Sequence, residues 1–188
     1  MNKKLVKVLT LILSCLLLIG AAVGITVSAE EIDETLTVQI DKKNVSYDSK
    51  TQMMYRVAAT GLAEGQTVKV LVSDATIAVN AGDKLADLDG VSVKEQKGES
   101  NGMPVFFSDG IAAVEYRKAI YAVPVVVNAD DTVALAGAEV AFTPYDYAMA
   151  RFDGAKTNEQ KNLYMAFLDY AAAVQEVLLT ADEVEALG

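Results

Sequence analysis

The chain has 188 residues, with 26 acidic and 16 basic side chains, no histidine, no tryptophan and a single cysteine, Cys15. Beyond Cys15 there is thus no intrachain disulfide, no thiol nucleophile, no Ser-His-Asp triad and no His-Cys zinc site. All 26 acidic residues but only 13 of the basic ones follow Ala29, so that part carries a formal net charge of −13, a surface that repels nucleic acid.

The first 29 residues read as a secretory signal. Lys3, Lys4 and Lys7 precede an apolar run, Val8 to Ile19, and a small-residue tail ends Val27-Ser28-Ala29. Cleavage is expected between Ala29 and Glu30, with the lysines retained on the cytoplasmic side. The rival reading is an uncleaved anchor, because Val8 to Ala29 is 22 residues without a charge and about 20 suffice to span a bilayer. Cys15 lies inside the apolar run, which suits a filler residue better than an acylation site. Removing 29 of 188 residues leaves 159, enough for one domain with its own core.

From Glu34 to Phe142 the pattern is β. Leu36, Val38 and Ile40 alternate with polar residues, as do Met53, Tyr55, Val57 and Ala59. The turn Gly61 to Gly65 leads to a third strand through Val68, Val70 and Val72, and residues 75–90, with Asp83, Asp87, Asp89 and Gly90, read as a surface loop. Val91 to Lys97 and Pro104 to Ser108 are expected to pair around Gly98–Gly102. Lys118 to Val127 and Thr132 to Phe142 are expected to pair around Asn128–Asp131. Pro124 makes its strand an edge or bulged there, and the apolar phase slips from Val133 and Leu135 to Val140 and Phe142, which predicts a bulge at Gly137.

The period then changes. Thr143 caps a short helix that starts at Pro144, turns Tyr145, Met149 and Phe152 to one face and stops at Gly154. Thr157-Asn-Glu-Gln160 is a capping box for a longer helix, 158–179, with Leu163, Phe167, Tyr170, Val174 and Leu178 on one stripe, and Thr180–Glu183 starts a last turn. The fold class expected is mainly β: an antiparallel immunoglobulin-like sandwich over 30–142, with a C-terminal helical appendage, 143–188, packed on a sheet or its edge.

The segments Ile120-Tyr121-Ala122, Ala138-Glu139-Val140, Tyr145-Asp146-Tyr147-Ala148 and Leu168-Asp169-Tyr170-Ala171-Ala172-Ala173-Val174-Gln175 occur in an order that resembles a recurrent C-terminal module of secreted and surface proteins of Gram-positive anaerobic bacteria. In that module an immunoglobulin-like hairpin leads into a short helix carrying Tyr-Ala or Tyr-Cys, then a helix with Leu-x-Tyr-Gly-Ala-Ala-Ala-Gln. The resemblance covers about residues 110–188. Ala171 stands where the module has Gly, Val174 where it has Ala, and Val177 and Leu178 where aromatics often follow. It implies surface location and fold, and no chemistry.

Candidate sites are few. Asp83, Asp87 and Asp89 supply oxygens suited to Ca²⁺, without the spacing of an EF-hand loop, and a solvated loop is the plainer reading. Glu115 beside Tyr116 is the best carboxylate for a hydrolase. Tyr116, Tyr147 and Arg151 are the binding candidates: exposed rings suit sugar stacking, while Tyr147 and Arg151, four apart on a helix, are placed to stack on each other. The expectation is a secreted, non-enzymatic structural or interaction module without a cofactor. Its partner would be an extracellular protein or glycan, with no nucleic acid, and with the membrane only through an uncleaved leader. A carbohydrate-binding accessory module is the second reading and a carboxylate-based hydrolase the third.

Overall fold

The structure, a computed structural model, describes residues 35–47 and 50–178, with side chains as far as residue 174. The leader with Ala29 and Glu30 and the turn at 180–183 lie outside the described residues.

Among the described residues nine strands form two antiparallel sheets: β1 (Thr37–Ser46), β2 (Gln52–Thr60), β3 (Thr67–Ser73), β4 (Ser92–Lys94), β5 (Gly98–Ser100), β6 (Met103–Phe107), β7 (Ile120–Val127), β8 (Val133–Ala136) and β9 (Val140–Phe142). One sheet has the order β1-β2-β6-β5; the other runs β4-β3-β7-β8, with β9 also on β7. Two helices follow, α1 (Pro144–Asp153) and α2 (Asn158–Leu178). Among the described residues no helix is long and apolar enough to cross a membrane. Mainly antiparallel β structure with two C-terminal helices is the class expected from the periodicity.

The inner faces meet as the two-residue period requires. Val38, Val45, Met53, Tyr55, Val57 and Phe106 of the first sheet pack against Val70, Val72, Ala122 and Val126 of the second. The second sheet is also covered outside. Leu71, Val123, Val125, Val127 and Val133 bury against Ile77 and Leu85, so the segment expected as a plain surface loop is a lid over that sheet. The unbroken apolar run of β7, buried throughout from Ala122 to Val127, is the signature of a strand covered on both faces.

Three local expectations are corrected. First, β1 continues six residues past Ile40, because a bulge between Ile40 and Lys42 shifts the phase that alternation alone would follow. Second, Val91–Lys97 does not pair with Pro104–Ser108. β4 joins β3, the chain then changes sheet, and residues 98–100, expected as turn, are the outer strand β5 on β6. Being an exposed edge, β5 has no apolar alternation to reveal it. Third, β7 is central, between β3 and β8 with β9, so Pro124 does not mark an edge. Its missing N–H is accommodated at the break between β8 and β9, where Gly137 N–H donates to the Pro124 carbonyl at 2.8 Å. The expected bulge is there, and Gly137 is required by space: a Cβ would stand 2.5 Å from the Val38 carbonyl oxygen.

The helices begin as their caps dictate. Thr143 Oγ1 accepts from Asp146 N–H at 2.8 Å and Thr157 Oγ1 from Gln160 N–H at 3.3 Å. Their buried faces differ from the expected ones. In α1, Pro144 and Ala148 are buried and Met149 is exposed. In α2, Leu163 and Tyr170 are 62% and 56% exposed, and the inward positions are Tyr164, Phe167, Leu168, Ala171 and Val174. The stripe is rotated because α2 lies chiefly on α1 and on a 3-10 turn, Ala113–Glu115, instead of on a sheet. Ala171, at the position where the resembled module has Gly, is 0% exposed.

Candidate functional site

At one end of the sandwich, segment 108–118 joins β6 of one sheet to β7 of the other, and its position is set by bonds to β2. Ser108 Oγ accepts from Met53 N–H at 2.9 Å, and Ile111 N–H donates to the Thr51 carbonyl at 2.8 Å. Tyr116 Oη and Thr51 Oγ1 are 2.6 Å apart, and Tyr145 N–H donates to the Tyr116 carbonyl. One side of this segment receives α2: the Phe167 ring stacks on Tyr116, and Tyr47 meets Phe167 edge-on at 5.0 Å. Its other side, with the ends of β3 and β4, walls a cleft of about 280 Å³.

The floor of that cleft is apolar, from Val72, Ile111 and Ile120, and its rim is charged. Lys118 Nζ donates to Asp74 Oδ2 at 2.7 Å. Lys94 Nζ donates to Asp109 Oδ2 at 2.5 Å, and Ser92 Oγ lies 3.3 Å from the same oxygen. Each lysine hydrogen bond holds its carboxylate below the ordinary range, and Asp74 in turn raises Lys118. A second hollow of about 470 Å³, lined in part by Lys94, shares Ser108 and Asp109 with the cleft, so the groove wraps around Asp109. Glu115 also lines the cleft, and its carboxylate accepts from the Ala112 N–H at 3.4 Å.

The arrangement supplies hydrogen-bonding groups of both signs over an apolar floor. Proton donation to a leaving group requires a carboxyl that keeps its proton. Asp74 and Asp109 are shifted the other way.

The sequence candidates fall in different places. Tyr116 is 6% exposed, with a ring face covered by Phe167, so it is a core ring and not a stacking platform. Tyr147 and Arg151 do stack, with the guanidinium 5.1 Å from the ring centroid. Tyr147 is half-buried against the inter-sheet core while Arg151 is exposed. Asp83 and Asp87 share a hollow with Lys84, and Asp89 does not line it. The Asp83 carboxylate accepts from Asn80 N–H at 2.7 Å, and among the described residues no three acidic, His or Cys side chains group around one point. Of the sequence candidates only Glu115 reaches the cleft. Asp74, Lys94, Asp109 and Lys118 come together through the strand order alone, at separations of 44 and 15 residues between partners, which no local pattern records.

Comparison of the chain with protein-family models, curated proteins and solved structures finds no match.

Proposed function

We propose that the chain is an exported, non-catalytic interaction module, and that the cleft around Asp74, Asp109 and Lys118 is where it contacts an extracellular protein or glycan. The carrying observation is the state of the rim charges: both aspartates are tied to lysines and held ionised, an arrangement suited to recognising a polar partner. The leader-like first 29 residues and the excess of acidic groups after them support a place outside the membrane. The strand order supports an immunoglobulin-like body: β1-β2-β6-β5 facing β4-β3-β7-β8/β9 corresponds, strand for strand, to A-B-E-D facing C′-C-F-G.

The test is a binding screen of the protein from residue 30 onward against glycans and extracellular proteins, repeated with Asp109→Ala and Lys118→Ala. Saturable binding to a protein that weakens in both variants supports the proposal. Saturable binding to one glycan class shifts the reading to a carbohydrate-binding module. Turnover of a polysaccharide that disappears in Glu115→Gln overturns the non-catalytic reading.

A further inference from the structure

The hairpin β5–β6 is closed by two residues, Asn101 and Gly102, between the last ladder pair Ser100 and Met103. Both carry positive φ, 54° and 72°, the type I′ geometry that Asn-Gly adopts with least strain. We infer that Asn101 is a modification site, at which water converts the carboxamide to aspartate and isoaspartate without an enzyme, and that the product loosens β5.

The chemistry needs a free backbone nitrogen beside an unengaged carboxamide. Both residues are exposed, and among the described residues no hydrogen bond engages the Asn101 side chain or the Gly102 N–H. Space is open as well, since a Cβ on Gly102 would meet nothing within 4 Å. Gly102 N, losing its proton to solvent, attacks Asn101 Cγ. The new C–N bond forms as the bond to the amide nitrogen breaks, ammonia leaves, and a five-membered imide results. Water then opens either imide carbonyl, giving aspartate or the isoaspartyl linkage.

Asn128 and Asn44 lack these conditions. Asn128 is held by Gln66 and Thr132 and is followed by Ala129; Asn44 accepts from the N–H of Val45, the nitrogen that would have to attack. Asn101 is the one Asn-Gly step in the chain. The isoaspartyl form adds a main-chain carbon to a two-residue turn, so the pairs Ser100–Met103 and Glu99–Pro104 fall out of register. Among the described residues β5 pairs with β6 alone, and the damage stays local.

The test ages the full chain at mildly alkaline pH. Amide-to-acid mass change is followed, with isoaspartate labelled by an isoaspartyl methyltransferase and mapped by peptide. The expected result is label on the peptide containing Asn101, lost in Asn101→Gly, which retains the positive φ without a carboxamide. An unlabelled aged protein, label mapping first to Asn80 or Asn128, or undiminished label in Asn101→Gly overturns the inference. The mapping on the unsubstituted chain decides the matter even if the variant folds poorly.

Discussion

Phe167 of α2 lies against Tyr116 with ring centroids 4.7 Å apart and 20° between the ring planes. The contact joins the last helix to the segment that walls the cleft, and Tyr116 is fixed from behind by Thr51.

Removing the ring should therefore free the helix while leaving the sandwich folded. Phe167→Ala is expected to cost about 2–4 kcal/mol, a little under the roughly 3–5 kcal/mol of a fully buried aromatic because Phe167 is half-buried. Tyr116→Phe keeps the stack, loses only the bond to Thr51 and should cost about 1 kcal/mol. Urea denaturation of the two variants checks the ranking.

Gly137 sits between β1 and Pro124, where a Cβ would stand 2.5 Å from the Val38 carbonyl oxygen and 2.8 Å from Pro124 Cγ. Gly137→Ala must push β1 from the second sheet, at an expected cost of about 1–3 kcal/mol or more. Gly98→Ala meets nothing within 4 Å and should change stability by less than about 0.5 kcal/mol. Thermal melts of the pair, read as a difference, test the close approach.

Tyr55 is 0% exposed, and its hydroxyl has no hydrogen-bond partner among the described residues. Tyr55→Phe deletes that orphan without opening a cavity, so stability should be unchanged or greater by up to about 1 kcal/mol. Burial also raises the ionisation of Tyr55 and Tyr47 above the ordinary tyrosine value. A raised folded value means that stability is complete below the unfolded value, about 10, and is lost as pH rises beyond it. Tyr55→Phe should flatten that alkaline decline in denaturant midpoints.

The rim carboxylates have the opposite sign. Asp74 and Asp109 are lowered in the folded chain, so their stabilisation is present above the ordinary carboxylate value, about 3.9, and is lost as pH falls through their folded values. Lys118, raised by Asp74, adds stability that is lost only as pH climbs through its folded value. Both pairs are solvent-accessible, so added salt should weaken these effects. Asp109→Asn and Lys118→Met should each reduce the acid-side slope of a melting-temperature profile.

Much of the body was legible because at least one face of each long strand is buried. Met53, Tyr55 and Val57, or Val70 and Val72, announce a period of two, and Thr143-Pro144 announces a helix start. Legibility failed where neighbours decide. β5 carries Gly98-Glu99-Ser100 because neither face is core; Ile77 and Leu85 are buried by a sheet distant in sequence; and α2 has apolar residues on more than one flank, so the choice of Ala171 over Leu163 depends on α1. The cleft was legible only at Glu115, since pairing across two sheets leaves no spacing rule in the chain.

The central claim is that α2 is docked through Phe167 on Tyr116, bracing the wall of the cleft. Backbone hydrogen exchange tests it most directly, comparing residues 164–174 in the native protein and in Phe167→Ala. The account predicts slow exchange in the native protein and much faster exchange in the variant, with β2, β3 and β7 still protected in both. Rapid exchange of 164–174 in the native protein, or exchange indifferent to Phe167, would contradict it.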